Sequence, residues 1–233
     1  MSAGIAVGVG RAPIVVAIDG PAGVGKSTAA RRLAARLAVP YIDTGAMYRA
    51  TALHLAHGGI DPEDRPAVAA AVAAMPLRLV LHAGGARVEL AGEEPGDRLR
   101  LPEVSALTSR VAVHPEVRRR LVALQQEFVH LHGGVMEGRD IGTVVVPETP
   151  FKFYLDAAPE VRAHRRHAEL EQGGRGVDPG EVARQLAERD ARDSSRSESP
   201  LQAAPDALRL DTGELAPDAV VEAMLAEIRR RSA

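Results

Sequence analysis

The chain has 233 residues, a formal net charge of −2 and 26% charged residues, which suits one α/β domain with insertions or two small domains. This balance leaves no global basic footprint for nucleic acid, and no stretch approaches the length of a membrane span. Cysteine is absent, which excludes a disulfide framework and thiolate or Cys-ligated metal chemistry.

Residues 1–13 are rich in Gly, Ala and Val but lack a basic start and a long apolar core. A flexible leader is expected there, not a signal peptide. Ile14 to Ile18 is a continuous apolar run, the pattern of a buried parallel strand. Asp19 and then Gly20-Pro21-Ala22-Gly23-Val24-Gly25-Lys26-Ser27 follow, fitting the phosphate-binding motif G-x-x-x-x-G-K-[ST]. Its glycines let backbone N–H groups turn toward a polyphosphate. Lys26 can reach the terminal phosphates, and the Ser27 hydroxyl can serve Mg²⁺. From Thr28 to Leu37 the chain is helical, with Ala30, Leu33, Ala34 and Leu37 on one stripe. The N-terminus of that helix points at the phosphates. Lysine occurs only at positions 26 and 152, among 29 Lys and Arg in all. Lys26 stands out because a planar guanidinium does not replace a compact ammonium in such a loop.

Val39 to Ile42 reads as a second strand. A helix from Thr44, its expected N-cap, should run to Ala56 and stop at Gly58-Gly59. Tyr48 and Arg49 then lie near the carboxyl end of a strand, where open α/β sheets bind ligands. Ala67 to Ala74 is helical. Leu77 to His82 and Arg87 to Leu90 alternate and read as a hairpin, with Arg98-Leu99-Arg100 as a third strand. This antiparallel patch interrupts the strand–helix alternation as an insertion. Helices follow over Glu103–Ala112 and from Pro115, the latter burying Val117, Leu121, Leu124 and Phe128. The run Arg118-Arg119-Arg120 beside that stripe has the pattern of a solvated face.

Val135 to Glu137 is the next buried strand. Gly138-Arg139-Asp140-Ile141-Gly142 at its end is a candidate site pair flanked by glycines. Phe151 to Leu155 is another strand. Two Arg-rich helices follow, from Ala158 to Gly173 and from Pro179 to Arg196. Leu208–Asp211 is the last strand and Leu215–Arg231 the closing helix. About five strand–helix units imply a parallel sheet flanked by helices. Phosphoryl transfer needs positioning, cationic stabilisation and exclusion of water. An Arg-rich helical hairpin that closes over the nucleotide would provide them.

Four stretches, in order and spacing, resemble the bacterial cytidylate kinases of the nucleoside monophosphate kinase group. They are residues 18–27, 43–49 (Asp-Thr-Gly-Ala-Met-Tyr-Arg), 137–145 (Glu-Gly-Arg-Asp-Ile-Gly-Thr-Val-Val) and 189–196 with Pro200-Leu201. The resemblance spans nearly the whole chain. It departs at Leu101, where the family commonly carries Ser or Thr. It implies a single P-loop kinase domain over 1–233. The core would be 14–43, 133–157 and 207–231. A monophosphate-binding region with the β insert would span 44–132, and a lid 158–200.

The activity implied is transfer of the γ-phosphoryl of ATP to CMP or dCMP with Mg²⁺, in pyrimidine nucleotide metabolism. ATP would lie on Gly20 to Thr28, with Ser27 toward the metal. Thr44, Tyr48 and Arg49 would border the CMP phosphate and sugar, Arg139 joining Arg49 on the phosphate. Ser109, Arg118 and Asp140 would surround cytosine. Arg189 and Asp193 would contact the sugar, Arg196 the CMP phosphate, and Arg192 the ATP phosphates. Lys26, Arg139, Arg189 and Arg192 are the expected catalytic cations. A carboxylate only accepts hydrogen bonds, so Asp140 suits the N4 amino group of cytosine and opposes the O4 of uracil. The expected state is a cytoplasmic monomer without nucleic-acid or membrane partners.

Other readings are a kinase for UMP or AMP, a GTPase-type switch and an RNA-binding module. No N-K-x-D motif supports the switch, and scarce aromatics oppose RNA binding. His164 and His167 share a helix face but lack the further ligands of a metal site.

Overall fold

The structure is a computed structural model that describes residues 13–174 and 176–232. The leader expected over 1–13 lies, but for Pro13, outside the described residues. Seven strands and eight α-helices are formed within them. Five strands make a sheet in the order β2-β5-β1-β6-β7, where β1 is Val15–Asp19, β2 Tyr41–Asp43, β5 Gly134–Gly138, β6 Phe151–Asp156 and β7 Leu208–Asp211. β6 runs parallel to both β1 and β7. The crossover order and the continuous apolar strands belong to an α/β sheet covered on both faces.

By its internal packing the chain forms two compact units, one of residues 13–15 and 34–136, the other of 16–33 and 137–232. In the first, α2 (Thr44–His57), α3 (Arg65–Ala74), α4 (Pro102–Val111) and α5 (Pro115–His132) surround a core that includes Met47, Leu55, Val68, Met75 and Leu121. The hairpin of β3 (Leu77–His82) and β4 (Gly85–Leu90) is antiparallel, with His82 opposite Gly85 across a two-residue turn. Residues 96–100 form a 3₁₀ turn and not the expected third strand. Leu99 is buried in the helical core there, and burying that one side chain outweighs extending a two-stranded edge. α2 also differs from expectation at its start. Asp43, not Thr44, is the N-cap, its Oδ1 accepting the Ala46 N–H at 3.0 Å. Both types cap well, but an ionised carboxylate also complements the helix dipole. Thr44 is the first helical residue and is buried.

In the second unit, Val16, Ala17 and Ile18 are fully buried, as are Phe153 and Leu155 on the neighbouring strand. α1 (Lys26–Leu37) begins two residues earlier than the periodicity indicated, so Lys26 and Ser27 lie in its first turn. α6 (Pro159–Gln172) and α7 (Pro179–Ser194) form the arginine-rich hairpin, and α8 (Pro217–Ser232) closes the chain. α7 ends at Ser194, so Arg196 lies beyond the helix expected to carry it.

One element had no sequence signature. Ile141–Val145 is a single π-helical turn directly after Arg139-Asp140, marked by the Val146 N–H donating to Ile141 O at 2.8 Å. Such turns gather at functional sites. Asp19, at the end of β1, holds this one: its two carboxylate oxygens accept the Ile141 and Gly142 N–H groups, each at 2.8 Å. Asp19 is only 3% exposed. Burial pushes its carboxyl up to about 6, with Asp140 adding to the rise, against the lowering effect of the two N–H bonds and Lys26.

A carboxyl that titrates near 3.8 when unfolded and near 6 when folded makes its ionisation costly to the fold. This stability is present below the unfolded value and is lost as pH rises through the folded one. Urea melts across this window should therefore show wild-type stability falling relative to Asp19→Asn, by roughly 3 kcal/mol. A difference that stays flat with pH would show that Asp19 is not desolvated.

Candidate active site

The second unit carries the phosphate-binding loop. Gly20 has φ of +146°, and a Cβ there would stand 2.1 Å from Leu155 O, so only glycine lets β1 turn away against β6. Lys26 is 6% exposed, and its Nζ donates to Pro21 O at 2.6 Å. Burial first, and then the cations Arg139 and Arg189, bring its pKa down to about 7, while Glu137 and Asp19 oppose the shift. Ser27 sits beside it, half-buried. Three of the four expected catalytic cations, Lys26, Arg139 and Arg189, thus share one electrostatic neighbourhood. Their mutual repulsion is relieved by a polyanion.

Asp193 organises the arginines. Its carboxylate is almost wholly buried and accepts Arg139 Nε at 2.9 Å and an N–H of Arg196; Arg189 Nε lies 3.9 Å away. Burial alone would raise its pKa, but Arg139, Arg196 and Arg189 outweigh that and hold it below the ordinary carboxylate value. Asp193 therefore aligns the cations, a role that spacing along one helix did not indicate. Arg192 faces elsewhere: it is exposed, and its Nε donates to Glu188 O. Asp140 is buried and immediately precedes the π turn.

The first unit assembles another set of the expected residues. Asp43 serves twice, capping α2 with Oδ1 and accepting Arg49 with Oδ2 at 2.7 Å. A Cβ on Gly45 would stand 2.9 Å from Arg49 Nη1, so a larger residue there would shift the guanidinium from its place over the helix start. Arg118 is buried, contrary to the solvated pattern of its run, and its guanidinium lies 5.6 Å from the Tyr48 ring centroid. Such stacking repays part of the cost of burying the cation. Arg119, next in the run, is exposed. Ser109 is buried on α4.

Sequence reasoning missed Asp19, Asp43 and the pair Arg162–Asp190. Asp19 and Asp43 both end strands immediately before a loop or helix N-terminus, a legible position for a carboxylate that orders backbone or cations. Among the described residues, no group of three or more His, Asp or Glu side chains could hold a metal. Nor is any described helix long and apolar enough to cross a membrane.

Known proteins place the chain in a family. The family model described as cytidylate kinase matches residues 16–230. The chain is 47% identical to a cytidylate kinase of Corynebacterium efficiens over 209 residues, 89% of this chain and 91% of that protein. It is 43% identical to one from Mycobacterium avium over 222 residues, 95% and 97% of the two chains. A solved structure from Eubacterium ventriosum shares the fold at TM-score 0.52 and 14% identity, covering 94% of this chain and 99% of that one. With a family match along nearly its whole length and relatives this similar, the chain belongs to the cytidylate kinase family.

Proposed function

We propose that the chain works as one kinase domain that transfers the γ-phosphoryl group of ATP to CMP and dCMP, in the cytoplasm, as a monomer, within pyrimidine nucleotide metabolism. The observation that carries this reading is a phosphate loop with buried Lys26 in the same unit as the arginines that Asp193 gathers, Arg139, Arg196 and Arg189, since phosphoryl transfer relies on charge stabilisation more than on covalent help. Residues 20–28 hold the ATP phosphates. Lys26 releases its bond to the Pro21 carbonyl and turns toward the terminal phosphate. Arg192, exposed on α7, closes over the donor.

Ser27 offers one hard oxygen in the first turn of α1. That fits Mg²⁺, which needs few protein ligands when substrate phosphates and water supply the rest. The ion, when bound, would neutralise charge on the phosphates.

On the acceptor side, Arg49, Arg139 and Arg196 bind the CMP phosphate, and Thr44 and Tyr48 border phosphate and sugar. Arg189 and Asp193 contact the sugar. Asp140 accepts the cytosine N4 amino group, while Arg118 and Ser109 serve the ring's remaining polar atoms. Asp140, Arg118 and Ser109 are buried, so a base that mismatches them leaves polar atoms unpaired.

A coupled assay of ADP release across the four ribonucleoside monophosphates and dCMP tests the reading. The expected kcat/KM for CMP exceeds that for UMP by about 100-fold or more; equal values would overturn it. Asp140→Ala should lose most of that preference while KM for ATP stays within about threefold. A collapse of ATP binding would instead make Asp140 structural.

A Lys26→Arg variant should keep a near-normal melting temperature and lose about 100-fold in kcat. An unchanged rate would show that this position needs only positive charge.

A further inference from the structure

Arg162 and Asp190 belong to neither set of substrate contacts. Arg162 lies on α6, in the first turns after β6; Asp190 lies on α7. Their side chains are 11% and 17% exposed, and an Nη of Arg162 donates to Asp190 Oδ2. Each also grips the phosphate loop. Asp190 Oδ1 lies 3.4 Å from the Ala22 nitrogen, and Arg162 Nη1 donates to Ala22 O at 3.3 Å. Arg162 Nε donates to Ala157 O at 3.1 Å, which fixes the guanidinium to the end of β6. The backbone of Arg162 presses on the same loop: a Cβ on Gly23 would stand 2.9 Å from Arg162 O. The N–H and C=O of one loop residue are thus both held by the hairpin.

The helices themselves are not tightly closed there. A partly open cavity of about 230 Å³ lies between α6 and α7, lined by Arg162, Ala163, Leu186 and Asp190 among others. Apolar packing leaves the setting of α7 underdetermined at this level, and the polar pair supplies what is missing. Successive helical residues are about 100° apart. Holding Asp190 on the loop therefore fixes the rotation of α7. That rotation places Arg189 in the neighbourhood of Lys26, and Asp193 among the arginines.

We propose that Arg162 and Asp190 are positioning residues, a latch that ties the arginine-bearing helix to the phosphate loop and sets Arg189 and Asp193 for turnover. The proposal rests on the kinase reading above for its catalytic consequence, but not for the latch itself. In the chain, Asp190→Asn leaves a buried guanidinium without its counter-charge, which destabilises. Arg162→Met with Asp190→Asn removes both charges and should recover most of the lost melting temperature. A latch and a merely structural ion pair then part company.

For a latch, each single variant and the double variant lose a similar factor in kcat, about tenfold to a hundredfold, because the pair acts as a unit. The double variant stays slow although its melting temperature recovers. If kcat recovers with stability, the pair is structural and the proposal fails. Arg162→Lys, which keeps charge but loses the fork, should fall between and provides a folded variant if the others do not fold.

Hydrogen exchange without substrate gives a readout independent of activity. Amides of 179–194 should exchange faster in Asp190→Asn than in wild type, with those of β1 and the body of α1 unchanged. Unaltered exchange in α7 overturns the latch even if the wild-type chain phosphorylates CMP. Faster exchange supports it even if the wild-type chain does not, so failure of the latch and failure of the kinase reading are told apart.

Discussion

Like charges held together away from water repel, and the second unit is built around managing that repulsion. Burial first, and then the fields of Arg139 and Arg189, make the Lys26 ammonium less stable there than in water. Two unit charges about 4 Å apart interact by roughly 4 kcal/mol at an effective dielectric near 20. A cluster of several cations cannot persist on that basis without anions of its own. Glu137 and Asp19 act on Lys26, and Asp193 takes up Arg139, Arg196 and, at longer range, Arg189. The protein carboxylates keep the cations in place.

The strand end that bears the phosphate loop also holds the segment that follows Arg139 and Asp140. Gly20 turns one way from β1, pressed against Leu155 O, while Asp19 accepts the two N–H groups of the π turn that follows Arg139-Asp140. A shift at Asp19 is felt on both sides. The Ile141 and Gly142 N–H groups open the turn, where they have no intrahelical partner, and so both are available to one carboxylate.

Which parts of this were legible follows from range. The phosphate loop, the buried strands and the helix stripes depend on neighbours within a few residues, and they lie where the periodicity placed them, to within a few positions. The identity of the α2 cap was not legible, since Asp43 and Thr44 are both good caps and the choice is tied to where Arg49 folds. Residues 96–100 followed the tertiary demand to bury Leu99. Arg118, Arg119 and Arg120 look alike in sequence, but Arg118 meets the Tyr48 ring and goes inside while Arg119 stays out. Asp190 reaches Ala22 across 168 positions, a separation at which local patterning carries no information. The roles named from resemblance are of another kind, because they come from the motifs as units and not from the physics of any one residue.

The scarcity of lysine also takes on a different meaning. The sequence singles out Lys26 as a rare lysine in a phosphate loop, but Lys152, the other lysine, is no part of that loop. It lies on β6, 7% exposed, with its Nζ on both oxygens of Asp206 at 2.8 and 3.0 Å. Its stem runs so close to Gly142 that a Cβ there would meet Lys152 Cδ at 3.2 Å. Both lysines are therefore buried cations on slender stems in the second unit. A guanidinium is broad and planar, with five donors to satisfy. The interior of Arg162 shows what it needs: carbonyls of Ala157 and Ala22 and the Asp190 carboxylate around one head group. Where the fold provides that many acceptors, arginine is buried. At the two lysines the acceptors are fewer, the Pro21 carbonyl for Lys26 and the Asp206 carboxylate for Lys152, and a compact ammonium meets them.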